Sequence, residues 1–146
     1  VDYTNATGDL RINLVTGRSW GAAGNDTLVG FENVVAGGGH DVILGNALNN
    51  ALRGNAGNDT IDGGAGIDRA DYRVATGGVS VNLATGTSAG ADGVDRLLNI
   101  ENVRGSDLYN DTLTGSTGAN ALEGRGGNDV LDGAAGNDTL VGDDGN

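Results

Sequence analysis

"GNAGNDTID", residues 54–62, sets six turn-prone residues ahead of a triplet in which one apolar side chain stands between two polar ones. "GGAGIDRAD", residues 63–71, follows at once with the same spacing. Aligned on the acid, both follow the phrase G-G-x-G-x-D-x-U-x, where U is a bulky aliphatic, with Asn55 at the second position of the first and Ala70 at U in the second. Glycine tolerates positive φ and lets a chain fold tightly with its carbonyls turned inward, so the first six residues read as a turn. The closing triplet, with its middle side chain inward and its neighbours outward, matches the two-residue period of a strand. Each phrase is therefore a turn followed by a very short strand.

The phrase recurs at two scales. Four consecutive copies run from 36 to 71: "AGGGHDVIL", "GNALNNALR", "GNAGNDTID" and "GGAGIDRAD". A second set runs from 106 to 141 as "SDLYNDTLT", "GSTGANALE", "GRGGNDVLD" and "GAAGNDTLV", with "GDDGN" beginning another. Isolated copies stand upstream of each set, "GAAGNDTLV" at 21–29 and "GADGVDRLL" at 90–98. Over the longer range, "INLVTGRSWGAAGNDTLVGFENVV" at 12–35 returns as "VNLATGTSAGADGVDRLLNIENVR" at 81–104, an offset of 69. The sequence predicts two modules. The first spans 1–69, with an irregular coil at 1–20, a turn at 21–29 and nonamers at 36–71. The second spans 70–146, with an irregular coil at 72–89, a turn at 90–98 and nonamers at 106–146. Internal periodicity of this kind means a solenoid.

A flexible Gly/Asn/Asp-rich linker is the bland alternative. Positional order argues against it. The aliphatic stands two residues after the acid position at Leu28, Ile43, Leu52, Ile61, Leu97, Leu113, Leu122, Leu131 and Leu140, and fails only at Ala70. A linker has no reason to keep that register.

Composition limits what else the chain can be. With 29 Gly, no Pro and five aromatic residues in 146, any core is thin and aliphatic. The net charge of -12 disfavours nucleic acid and anionic lipid and favours small multivalent cations as partners. The absence of Cys excludes disulfides and thiolate metal sites. No apolar run reaches membrane-spanning length, so membrane insertion is not expected. The chain has no Met and stops partway through a phrase, which reads as a segment of a larger polypeptide.

In a coil of turn plus strand, successive nonamers lie on opposite sides and turns 18 residues apart become neighbours. Asp41 and Asp59 are so spaced, as are Asp111 and Asp129. Strands stack roughly 4.8 Å apart, and facing carboxylates at about that distance repel by on the order of 1 to 3 kcal/mol per pair. A divalent cation reverses the sign. Ca²⁺ takes six to eight hard oxygens and suits carboxylates with carbonyls, whereas Mg²⁺ demands stricter geometry and Zn²⁺ wants His or Cys.

These phrases resemble the haemolysin-type, or RTX, calcium-binding nonapeptide repeat. The resemblance implies an all-β fold, a right-handed parallel β-roll or β-helix solenoid with several Ca²⁺ ions between successive turns. It implies that the position-six acids are ligands: Asp26, Asp41 and Asp59 on one edge of the first module, with Asp95, Asp111 and Asp129 on the corresponding edge of the second. Asp68 and Asp138 lie on the opposite edges. There the partner positions are Asn50 and Asn120, neutral amides whose sites should be weaker or empty. Turn carbonyls complete the implied ligand set, at Gly24, Gly37, Gly39, Gly54, Ala56, Gly57, Gly63, Gly93, Gly124, Gly126 and Gly133. "GFENVV" and "NIENVR" are expected to make the opposite turns, with Glu32 and Glu101 as further candidates. The resemblance also implies a secreted bacterial protein, exported unfolded by type I secretion machinery and folding outside as Ca²⁺ binds.

Other readings are weaker. His40 stands alone, without a base or nucleophile, and is given no role. Trp20 and Phe31 are expected to plug ends of the coil. "GGAG" stretches lack the Lys or Ser/Thr of a phosphate cradle. Repeated stacked acids without a unique cleft read as ligands rather than a hydrolytic pair, so no catalytic residue is assigned. A calcium-stiffened adhesin or ice-binding platform lacks the Thr file that ice binding needs. A non-catalytic module of a secreted hydrolase places any activity outside these residues.

Overall fold

Each triplet that follows a turn becomes a strand, because its middle side chain has an apolar interior to enter. The computed structural model describes residues 1–145. Strands β1 Leu10–Asn13, β2 Arg18–Gly21, β3 Asp26–Thr27 and β4 Asn33–Val35 open the chain, and β5 Val42–Leu44, β6 Ala51–Arg53, β7 Thr60–Asp62 and β8 Arg69–Asp71 carry the first nonamer run. The pattern repeats with β9 Val79–Asn82, β10 Thr87–Gly90, β11 Arg96–Leu98 and β12 Asn102–Arg104, then β13 Thr112–Thr114, β14 Ala121–Glu123, β15 Val130–Asp132 and β16 Thr139–Val141. No helix long and apolar enough to cross a membrane occurs among the described residues.

The strands fall into two sheets. One is ten-stranded, in the order β15-β13-β9-β10-β11-β7-β5-β1-β2-β3; the other is six-stranded, β16-β14-β12-β8-β6-β4. Nonamer strands pair in parallel with the strand 18 residues on, Ile43 beside Ile61 and Leu122 beside Leu140. This is a parallel β-roll. The aliphatic file forms its interior: Ile43, Leu52, Ile61, Leu97, Leu113 and Leu122 are buried between the sheets. Ala70, the one break in the file, lies in the same core cluster as the buried ring of Tyr72. The file opens at the last strand, where Leu140 is 46% exposed against 0% for Leu122.

The stretches expected as irregular coil are β-hairpins. β1 pairs antiparallel with β2, Leu10 opposite Gly21, and β9 with β10, Val79 opposite Gly90. Their turns are built locally: Asn13 Oδ1 accepts the Thr16 N–H (2.9 Å), and Asn82 Oδ1 accepts the Thr85 N–H (3.0 Å). Gly17 and Gly86 follow in left-handed conformation, at φ 64 and 66. Both hairpins lie within the ten-stranded sheet, so they extend the roll rather than interrupt it. Parallel pairing of β11 with β7 and of β12 with β8 then joins the second repeat to the first. Trp20 and Phe31 are 43% and 40% exposed, and neither belongs to the buried core cluster.

Candidate metal centre

The turns put the position-six acids in two files along the edges of the roll. In each file a side-chain oxygen accepts the backbone N–H of the acid position one rung earlier. Asp41 N–H donates to Asp59 Oδ1 (2.8 Å), Asp59 N–H to Asp95 Oδ1 (3.0 Å) and Asp111 N–H to Asp129 Oδ1 (2.9 Å). On the other edge Asn50 N–H donates to Asp68 Oδ1 (2.7 Å) and Asn120 N–H to Asp138 Oδ1 (2.9 Å). Asp68 N–H donates to Glu101 Oε2 (2.8 Å), so Glu101 fills the place an aspartate fills elsewhere. Position five forms a parallel file: His40 Nδ1 accepts the Asn58 N–H (2.9 Å), and Asn58 Oδ1 accepts the Val94 N–H (2.8 Å). His40, given no role from sequence, acts here as an asparagine substitute.

The second carboxylate oxygen divides the acids. Oδ2 of Asp59, Asp68 and Asp129 is buried and has no hydrogen-bond partner. Asp41 Oδ2 accepts from Gly37 N–H (3.1 Å), and Asp111 Oδ2 accepts from Ser106 N–H (2.6 Å) and Oγ (3.0 Å). Asp26 and Asp95 are held by paired hydroxyls. Tyr3 OH (2.8 Å) and Ser19 Oγ (3.2 Å) donate to Asp26 Oδ2, and Tyr72 OH (3.0 Å) and Ser88 Oγ (2.8 Å) donate to Asp95 Oδ2. Sequence reading missed both trios, although Tyr3–Ser19–Asp26 and Tyr72–Ser88–Asp95 share the offset of 69. Tyr72→Phe removes one donor from a buried carboxylate and is expected to cost about 1–2 kcal/mol, measurable by chemical denaturation.

The two amides close on their own turns. Asn50 Oδ1 accepts from Asn46 N–H (2.8 Å), and Asn120 Oδ1 accepts from Ser116 N–H (2.7 Å). Asn120 Nδ2 donates to the Glu101 carbonyl (2.7 Å).

Turn carbonyls converge on the same places. A Cβ on Gly105 would overlap both Asp111 Oδ2 and the Gly124 carbonyl oxygen; one on Gly115 would meet Asn120 Oδ1 and the Gly133 oxygen. On Gly45 it would meet Asn50 Oδ1 and the Gly63 oxygen, and on Gly57 the Gly39 oxygen. The Gly57 oxygen in turn lies against Gly93. The predicted carbonyls at Gly39, Gly57, Gly63, Gly124 and Gly133 thus face a neighbouring rung. At Gly54 an added Cβ would overlap Asp59 Oδ2. The Gly93 carbonyl accepts from Gly90 N–H (3.0 Å) within the hairpin. Gly126 bridges to Asp144, Gly24 lies in the open on the β3 edge, and Ala56 is exposed at a turn tip.

Burial disfavours charge on these acids. It raises Asp41, Asp68, Asp95 and Asp111 above the ordinary carboxylate range. Asp59 is pushed up to about 7, first by burial and then by the charges of Asp95, Asp41 and Asp92, against the bond from Asp41 N–H. No three acidic or histidine side chains converge among the described residues, so carboxylates alone do not close a coordination shell. Backbone carbonyl oxygens lie beside several of these acids and are further oxygen donors of the kind that a hard cation takes.

A family model for the RTX calcium-binding nonapeptide repeat matches residues 20–32, 35–70 and 106–140, more than half of the chain. The chain belongs to this RTX repeat family. It is thus a calcium-binding β-roll. No match was found among curated proteins. The RTX match takes in both nonamer runs and the isolated copy at 21–29, and it leaves out residues 71–105, where one repeat meets the next.

Proposed function

We propose that the chain is a calcium-dependent folding segment of a larger secreted bacterial protein, without catalytic residues of its own. The observation that carries this reading is the set of buried, unpartnered oxygens on Asp59, Asp68 and Asp129. Leaving a charged oxygen buried and unpaired is costly, and a hard cation satisfies it. Asp59, Asp68 and Asp129, with turn carbonyls, are the principal ligands, joined by Asp138. Asp41 and Asp111, whose Oδ2 already accepts a backbone N–H, are secondary. Asp26 and Asp95 are satisfied by tyrosine and serine hydroxyls and close the files without metal. Asn50 and Asn120 bring no charge and leave their rungs weak.

When bound, calcium supplies positive charge that offsets the stacked acids and bonds that tie one turn to the next. The chain's own part is to fix each carboxylate in advance by the N–H of the preceding rung. In a low-calcium cytosol the same acids oppose folding, which keeps the segment export-competent for type I secretion. Asp59→Asn separates the two roles because its effects have opposite signs. In chelator the variant folds more stably than wild type, since a buried charge is gone; in millimolar calcium it is less stable and binds about one ion fewer. Calorimetric titration with and without chelator reads both, and an unchanged ion count would refute the assignment.

A further inference from the structure

We propose a cation site at the seam between repeats, where Asp68 of the last nonamer of the first run, Glu101 and the Asn99 carbonyl together hold a calcium ion that fastens the second repeat onto the first. It rests on the calcium reading above and adds to Asp68, which the family match takes in, two residues that the match leaves out, Asn99 and Glu101.

The first observation is Asp68 itself. It is 0% exposed, and its Oδ2 has no partner. Its Oδ1 is taken by Asn50 N–H, so the free oxygen is the one turned away from the earlier rung. The next rung on this edge is not a nonamer. It is the three-residue turn 99–101 between β11 and β12, half the length of the six-residue turn 63–68. This short turn reproduces both features of a full one. Glu101 Oε2 accepts the Asp68 N–H (2.8 Å), as Asp129 Oδ1 accepts that of Asp111 (2.9 Å). A Cβ on Gly63 would overlap the Asn99 carbonyl oxygen and Asp68 Oδ2 together, as a Cβ on Gly105 would overlap the Gly124 oxygen and Asp111 Oδ2.

The local chemistry explains how three residues do the work of six. Asn99 adopts φ 50, a left-handed conformation that asparagine tolerates, which reverses the chain within one residue. Its Nδ2 donates to Asp62 Oδ1 (2.8 Å), pinning the turn to the end of β7. Glutamate is one methylene longer than aspartate, and from this shorter turn its carboxylate reaches the Asp68 N–H. The charges of Glu101 and Asp62 beside buried Asp68 then leave a concentrated negative site with the Asn99 carbonyl oxygen near it. The ion so held bridges β8 and β12, the parallel pair that joins the repeats on this sheet.

Glu101→Gln tests this in the full chain, because the amide oxygen still accepts the Asp68 N–H while the charge is lost. Bound calcium, counted by equilibrium dialysis with elemental analysis, is expected to fall by one ion per chain. The calcium concentration at the folding midpoint is expected to rise by at least about threefold. If Glu101→Gln keeps the full count while Asp129→Asn loses an ion, the seam site is wrong and the nonamer reading stands. If wild type binds no calcium, both fall. Should the variant fail to fold, a wild-type crystal grown in calcium decides: an anomalous peak between Asp68 and Glu101 supports the site, and its absence alongside peaks in the nonamer turns overturns it.

Discussion

In excess chelator, the chain is expected to be better folded near pH 4 than near pH 7.5, the reverse of the usual acid denaturation. The sign follows from the direction of the shifts. Asp41, Asp59, Asp68, Asp95 and Asp111 all have raised values, with burial the first cause in each. An acid that binds its proton more tightly folded than unfolded contributes most below its unfolded value, about 4, and that contribution is lost as pH rises through its folded value. For Asp59 the window closes at about 7. The span from about 4 to about 7 corresponds to at most roughly 4 kcal/mol for this one group. That is comparable to the whole stability of a small domain. Asp2, drawn down by Thr4 at the surface, acts in the opposite direction. Circular dichroism across this range in chelator should show strand signal fading toward neutrality and returning when calcium is added. A calcium-free fold indifferent to pH would show that the buried carboxylates are not what opposes it.

Gly54→Ala is expected to lower the stability of the calcium-loaded protein by about 3 kcal/mol, at the upper end for overpacking. Its Cβ would strike Asp59 Oδ2 and lie 2.8 Å from Cγ and 3.1 Å from Cβ of the same residue. Asp59 cannot retreat, because its Oδ1 is fixed by Asp41 N–H and it is 2% exposed. The methyl group therefore displaces the carboxylate from its own site. Gly118→Ala is the matched control: the nearest atom to its Cβ is Ser116 Oγ at 3.7 Å, and the change should be nearly neutral. Thermal melts in calcium should separate the two by roughly 10 °C. Equal melting points would mean that glycine at position one serves only backbone flexibility.

The nonamer logic was legible because two independent periods coincide in it. A bulky aliphatic every ninth residue and an acid two residues before it leave one arrangement in which apolar groups meet and acids stack. Ile43, Leu52 and Ile61 are buried as that reasoning requires, and Asp41 lies one rung from Asp59. The hairpins were harder to foresee. "SVNLATG" alternates as a strand does, but a four-residue pattern does not announce whether its partner runs parallel or antiparallel, and that choice rests on the Asn82 turn. The hydroxyl clamps on Asp26 and Asp95 escaped for another reason. Tyr72 and Ser88 are 23 and 7 residues from Asp95, distances that neither the nine-residue nor the eighteen-residue period contains. Only the longer repeat marks them. Glu101 was visible as an acid, but its equivalence to a nonamer aspartate depends on a backbone reversal at Asn99 that spacing cannot express.

Asp68 and Asp111 are each steadied on one side by an N–H of the rung before, Asn50 and Val79, while the carbonyl near the other oxygen comes from the rung after, Asn99 and Gly124. A solitary turn has neither neighbour, and a pair supplies only half of what any one acid needs. Three in succession are the smallest group in which a middle member is complete. Response to the ion is therefore a threshold phenomenon written into the order of stacking, and it should sharpen as rungs are added rather than merely strengthen.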